Sequence, residues 1–377
     1  MKKIIALLLA LVMVFALVAC ANTEEPVTEP DAPVTEPDAP VEEDVEEPAE
    51  TMYIPVMAKG FQHQFWQAVA KGSEDAAAEL GVEIYFDGPA SETEIAAQVD
   101  MVKKEMAKGP KALALAALST EAVTEILEEC AEKGIPVVGF DSGVPGDTTG
   151  AVVATACTNN EAAAALAAEK FGEHEGLVEA MTNATAEAPV IIGCLSQDAV
   201  SASVTGRTTG FVNKMAEIAA QYGTVSIEGH SLWENKVEDA SIIIRVEVSA
   251  TTEATSLQTS SAALLANENL KAVFCSNEGA VTGFLAAVSD GEDLGEGGKY
   301  EDLVVAGFDA GAAQKNAVRQ GWFYGSVTQD PYQIGYQAVA LAFAAANGEA
   351  VADVDTGAQW YNAENIDDEM IALLVYD

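Results

Sequence analysis

From about residue 52 the chain alternates between short apolar runs and longer stretches in which apolar positions recur every three or four residues. The runs "YIPVMA", "VEIYF", "KALALAAL" and "IPVVGF" read as strands, and "FWQAVAKGSEDAAAEL", "ETEIAAQVDMVKKEMA" and "EAVTEILEECAEKG" read as the helices between them. The rhythm restarts with "PVIIGCLS", "GTVSIEG", "KAVFCSNE" and "DLVVAGFDA". Near-continuous apolar strands alternating with helices indicate parallel sheets covered on both faces. Two such α/β units follow one another, and the length beyond Thr51 suits two lobes rather than one core.

The first fifty residues follow a different pattern. "MKKIIALLLALVMVFALVAC" has two lysines, an apolar run short for a membrane span, and small residues before a cysteine, which is the layout of an export signal. "LVAC" at 17–20 resembles the lipobox of bacterial lipoproteins. That implies a signal peptide over 1–20 and lipidation of Cys20, with acyl chains anchoring the protein outside the cytoplasm. Residues 21–50 repeat "VTEPDAP" in tandem and carry twelve carboxylates, regular prolines and no aromatic residue. Such a stretch buries too little apolar surface to fold. It reads either as an extended stalk, reaching roughly 90 Å at about 3.1 Å per residue, or as a disordered leader with no length requirement.

Charge and cysteine content narrow the partners. The chain holds 60 Asp and Glu against 18 Lys and Arg, a net charge of −42. About −32 of that remains beyond residue 50, which argues against nucleic acid or anionic lipid as a ligand. Of the five cysteines, Cys130, Cys157, Cys194 and Cys275 show neither metal-type nor CxxC spacing and read mostly as buried free thiols, one disulfide being the alternative. No cofactor or metal is expected.

Candidate chemistry collects at strand ends. "PVVGFDSG" at 136–143 and "LVVAGFDAG" at 303–311 are apolar strands that each end in Gly-Phe-Asp, which puts Asp141 and Asp309 where open α/β sheets bind ligands. The bland reading makes each aspartate a turn or helix cap; the pair favours a cleft. After the first strand, where a nucleotide-binding protein would have a phosphate-holding glycine turn, "GFQHQFW" brings His63, Phe65 and Trp66. "CSNEG" contributes Asn277 and "GSVTQDPYQIG" contributes Gln329, just before a proline-started helix. Aromatic faces, carboxylate acceptors and planar amides together suit a polyol, whose hydroxyls need acceptors and donors and whose C–H face packs on a ring. Trp233 is left open between a sugar-stacking and a core role, and His174 and His230 read as surface residues.

From about residue 52 to the C-terminus the chain resembles the ribose- and galactose-type periplasmic sugar-binding proteins, the capture components of ABC importers. Phe65 and Trp66 match that family's aromatic pair, with His63 where asparagine or aspartate is common. Asp141 matches its N-lobe aspartate, Ser142 stands where arginine frequently follows, and Asn277, Asp309 and Gln329 match its C-lobe residues. "VTGRTTGF" makes Arg207 the candidate sugar-binding arginine, to within one or two positions, and the region from Trp233 to Thr255 matches poorly, as an insertion would.

The resemblance implies two Rossmann-like lobes with parallel sheets and a three-segment hinge, the type I periplasmic-binding-protein fold. Its lobes would comprise 51–157 plus 330–361 and 158–329 plus 362–377, with crossovers near 156–160, 329–331 and 360–362. It further implies a monomer that closes on a small neutral sugar or polyol and delivers it to an ABC permease. The alternative is a sensory binding protein for a nucleoside or furanose-like quorum signal. An enzyme is not expected, because GxSxG, HExxH, P-loop and strand-following GxGxxG motifs are absent from the sequence. Relatives that act as repressors begin with a basic helix-turn-helix, unlike this chain.

Overall fold

The computed structural model describes residues 51–376 apart from Gln62; the expected signal peptide, Cys20 and the acidic tether lie outside the described residues. The first half runs β1 (Tyr53–Met57), α1 (Phe65–Leu80), β2 (Glu83–Asp87), α2 (Ile95–Met106), β3 (Leu113–Leu115), α3 (Thr124–Lys133), β4 (Val137–Phe140) and β5 (Val152–Cys157). The second runs α4 (Asn160–Glu173), α5 (Glu175–Thr182), β6 (Val190–Ser196), α6 (Ala202–Ala219), β7 (Val225–Glu228), β8 (Ile242–Val248), α7 (Ala254–Leu265), β9 (Leu270–Cys275), α8 (Glu278–Ala287), β10 (Val304–Phe308), α9 (Ala312–Arg319) and β11 (Gly325–Gln329). The chain then returns through α10 (Pro331–Ala346) and β12 (Val354–Asp355), and ends with β13 (Ala358–Tyr361) and α11 (Glu369–Ala372).

Two sheets result. The first has strand order β12-β5-β4-β3-β1-β2 and the second β13-β11-β10-β9-β6-β8-β7. Every pairing is parallel except β11 with β13. Helices cover both faces, so central strands such as β4 and β10 are buried at every residue, and that is why they read as unbroken apolar runs. The two lobes of the expected fold are these two sheets with their helices.

Close helix contacts fix each lobe. A Cβ added at Gly72 of α1 would fall on the Tyr332 carbonyl oxygen of α10, and one at Gly335 of α10 on the Val69 carbonyl oxygen. Glycine at both positions lets the returning helix lie against the first sheet's own helix. Gly210 of α6 does the same against Glu161 of α4.

The chain passes between the sheets after β5, after β11 and between β12 and β13. The third passage differs from the expected 360–362. Trp360 and Tyr361 already pair with Val327 and Ser326 of the second sheet, because Gly357, at φ 77°, turns the chain immediately after β12. Backbone and side chains stitch the passages together: Thr356 N–H donates to Cys157 O at 3.0 Å, Asn159 N–H to Asp355 Oδ1 at 3.1 Å, and Thr158 Oγ to Gly357 O at 3.1 Å. The segment that matched poorly contains β8, which pairs along its length with β6 and in part with β7.

Among the described residues the four cysteines are free, three buried and Cys157 half-buried. No described helix is long and apolar enough to cross a membrane.

Candidate functional site

Strand ends and helix starts of both sheets converge on one point. Lys59 follows β1, Asp141 follows β4, Asn277 and Asp309 follow β9 and β10, and Gln329 ends β11. With His63, Phe65, Trp66, Glu92, Val204 and Arg207 they line a cavity of about 20 Å³. That is room for about one water, so the side chains meet one another.

The two Gly-Phe-Asp aspartates share a backbone conformation: φ is 51° at Asp141 and 78° at Asp309. Aspartate is among the few residues that tolerate this left-handed region, and neither serves as the N-cap of a helix. Asp141 Oδ2 lies 3.0 Å from Lys59 Nζ, and its Oδ1 lies 3.9 Å from Arg207 Nη2. Asp309 accepts from Gln329 Nε2 at 2.7 Å and from the Glu278 backbone N–H at 2.9 Å, with Arg207 Nη1 at 3.5 Å. Arg207 also donates to Asn160 Oδ1 at 2.8 Å and to Ser276 O, and its guanidinium stacks 3.9 Å over Phe308. One buried arginine thus reaches the strand-end carboxylates of both sheets.

The aromatic pair forms a wall and also belongs to the core. Trp66 is 1% exposed and sits edge-on to Phe65 and Phe140. Its indole N–H donates to Glu92 Oε1 at 3.0 Å, and His63 Nε2 lies 3.8 Å from the same oxygen. Gln197, at the end of β6, donates to Glu92 Oε2 at 2.8 Å, joining the lobes. Asn277 Oδ1 caps α8 by accepting from the Ala280 N–H.

Charges in the cavity compensate one another. Burial works against the Lys59 charge, but the carboxylates of Asp141, Glu92 and Asp198 outweigh it and raise its pKa above the ordinary lysine value. Burial likewise opposes ionisation of Glu92, but Lys59, His63 and the Trp66 and Gln197 donors hold its carboxyl below the usual range. Two amide oxygens, Gln197 Oε1 and Gln329 Oε1, are buried without a hydrogen-bond partner among the described residues. Both belong to side chains whose nitrogens donate to cavity carboxylates.

Of the nine expected residues the structure gathers eight around this cavity. Ser142 is the exception: it lies wholly buried behind Asp141, hydrogen-bonded to that residue and to Ser203 Oγ at 2.7 Å. Lys59 and Glu92 were not anticipated. A lysine directly after the first strand was the available signal for Lys59; nothing in "GPASETE" distinguished Glu92. Trp233 packs half-buried against the second lobe's core and donates to Thr209, away from the cavity. His174 and His230 are half-buried and away from the cavity, each accepting a backbone N–H through Nδ1.

Comparison with known proteins fits this geometry. Residues 54–350 match the periplasmic binding protein domain family. The chain belongs to the periplasmic binding protein family. It is 25% identical over 319 residues to the D-allose-binding periplasmic protein of Escherichia coli K12, covering 82% of this chain and 90% of that one. A solved structure from Brachyspira murdochii, described as an ABC transporter, LacI family transcriptional regulator, is 38% identical with a TM-score of 0.72, covering 87% and 99% of the two chains. An ABC transporter solute-binding protein from Agrobacterium vitis, solved with bound D-fucose, is 26% identical with a TM-score of 0.71 over 86% of this chain and all of that one. These relatives place the chain with the ribose- and galactose-type members, which bind solutes for ABC transporters rather than catalyse reactions.

Proposed function

We propose that the protein captures a small neutral sugar or polyol between its lobes and delivers it to an ABC permease, while acyl chains on Cys20 hold it at the outer face of the cell membrane. His63, Phe65, Trp66, Asp141, Arg207, Asn277, Asp309 and Gln329 make the contacts, joined by Lys59 and Glu92, and Ser142 supports Asp141 from behind. The observation that carries this reading is the cavity's composition. Hydrogen-bonding groups from both lobes surround an aromatic wall, and the two cations there are already matched by carboxylates. A neutral ligand exchanges hydrogen bonds at such a site without disturbing the charge balance. The D-allose and D-fucose named for two relatives point to the same ligand class.

The test is a thermal-shift screen of the full chain against aldopentoses, aldohexoses, their deoxy forms and nucleosides. Ligand at a hundred times its dissociation constant stabilises by roughly 2.7 kcal/mol, a shift of a few degrees. A shift with neutral sugars supports the reading; a shift confined to nucleosides rejects the sugar assignment. Loss of radiolabelled palmitate from a Cys20→Ser chain checks the anchor.

A further inference from the structure

Two helix N-termini facing each other across the cleft are each capped from the opposite lobe. The first turn of a helix leaves backbone N–H groups without intrahelical partners. At the start of α1, Gln64 makes no side-chain cap to its own helix. Glu278, the first residue of α8 in the other lobe, accepts there instead, through Oε1 from the Gln64 N–H at 3.3 Å and through Oε2 from the Phe65 N–H at 3.4 Å. The favour is returned in the opposite direction. Gln64 Oε1 accepts from the Ala312 N–H at 2.8 Å, and Ala312 opens α9, whose N-cap is the side-chain-less Gly311.

Gly311 closes the knot. A Cβ there would stand 2.6 Å from Glu278 Oε1 and 3.2 Å from Gln64 Oε1, so the two caps fit only around glycine. The arrangement also borders the cavity, since the Glu278 backbone N–H donates to Asp309 and Phe65 lines the wall. Burial, aided by Asp309, raises the Glu278 pKa, and His63 and the facing Gln64 and Phe65 N–H groups oppose that rise only in part.

We propose that Glu278 and Gln64 form a reciprocal capping latch that sets the balance between parted and closed lobes, and through it the ligand affinity, without touching the ligand. The proposal rests on capture by lobe closure. When the lobes part, all three N–H groups lose these acceptors together, so the caps favour closure alone. A ligand binding only the closed form has an apparent affinity proportional to the closed fraction, and loss of one such cap corresponds to about a fivefold change.

Spin labels at Glu128→Cys and Glu268→Cys, one exposed position in each lobe, in a full-length Cys157→Ser chain report the lobe separation by pulsed electron resonance. Glu278→Ala and Gln64→Ala are expected to enlarge the parted population without sugar and to weaken binding of D-allose or D-fucose about fivefold each. Glu278→Gln, which keeps an acceptor, recovers part of the loss. Gly311→Ala, which removes neither cap but fills their space, reproduces it. Lobe separation and sugar affinity both unchanged in Glu278→Ala and Gly311→Ala overturn the latch. If neither sugar binds the parent, the separation alone decides: a shift in both variants upholds the latch while the sugar reading fails, and no shift overturns it.

Discussion

Lys59 offers the most exacting test of the cavity's electrostatics. The residue is 4% exposed, and its ammonium lies 3.0 Å from Asp141 Oδ2 and 3.1 Å from Ser203 Oγ. Lys59→Met keeps the apolar stem and removes the charge, leaving Asp141 buried with the more distant Arg207 and its neighbour Ser142. Breaking a buried ion pair from one side costs about 3–5 kcal/mol. With an unfolding entropy of about 2.1 cal/mol/K per residue, that lowers the melting temperature of the folded unit by about 4–7 °C at pH 7.

The pH dependence has a definite sign. In the parent, the Glu92 carboxyl is held below its ordinary value of 4.5, with Lys59 the foremost group opposing burial. Its contribution to stability is present above that value and lost as pH falls through the lower folded value. Without Lys59, Glu92 takes up its proton at higher pH, so the gap between parent and variant is widest near pH 7 and narrows towards pH 4. Adding Asp141→Asn, which tolerates the left-handed backbone, restores a large part of the loss, since contacting sites couple. Thermal melts at pH 7 and 4 decide the matter. A melting temperature within 1 °C of the parent at pH 7, or a gap that grows on acidification, refutes the placement of Lys59 in a charge-compensated cavity.

Three further outcomes are expected. Asp309→Ala removes the acceptor of Gln329, Glu278 and Arg207 and puts alanine at φ 78°, so it loses about 3–5 kcal/mol, whereas Asp309→Asn retains at least about 1 kcal/mol of that; chemical denaturation separates them, and calorimetry shows sugar binding lost in both. Trp66→Ala lowers stability by about 3–5 kcal/mol as well as affinity, because the side chain is core and wall at once; an unfolding curve matching the parent contradicts its burial. Gly279→Ala pushes a Cβ onto Gln197 Oε1 and to 2.9 Å from His63 Cε1, and weakens sugar binding about tenfold or more while shifting stability by about 1 kcal/mol, as paired titration and melting experiments check.

What was legible in the chain follows from what is local. β4 and β10 were readable because covered sheets make both faces apolar, and Asp141 and Asp309 stood out because the same three residues end both strands. β8, "IIIRVEV", carries an alternating burial pattern as clear as any, yet it lies where the family pattern fails, so resemblance hid what periodicity shows. The third passage was misplaced because Trp360 and Tyr361 form an antiparallel strand whose partner, β11, is thirty residues away in sequence. Lys59 was missed for a related reason. A lysine is almost never fully buried unless paired, and its partner Asp141 reaches it only through the sheet order that sets β4 two strands from β1.

The pairing inside the cavity bears on selectivity under the proposed function. Lys59 and Arg207 face Asp141, Asp309 and Glu92, so the formal charge of these five side chains sums to −1. An anionic ligand would compete for two cations already hydrogen-bonded to protein oxygens, and a cationic one would find carboxylates already engaged, Asp141 by Lys59 and Glu92 and Asp309 by the Trp66, Gln197 and Gln329 donors. A polyol meets neither obstacle, since each hydroxyl both donates and accepts and can bridge a pair that parts to admit it. Discrimination among sugars then depends on which pairs must part. The Gln329 oxygen, beside Asp309 and without a hydrogen-bond partner among the described residues, needs no pair to part before accepting a hydroxyl proton. An analogue lacking the hydroxyl that this oxygen would accept leaves a buried acceptor unsatisfied, which costs about 1–3 kcal/mol, or roughly tenfold to a hundredfold in affinity. Titrating the preferred sugar against its monodeoxy derivatives therefore reads out this oxygen: a loss at one ring position agrees with its placement, and equal affinity across the whole series contradicts it.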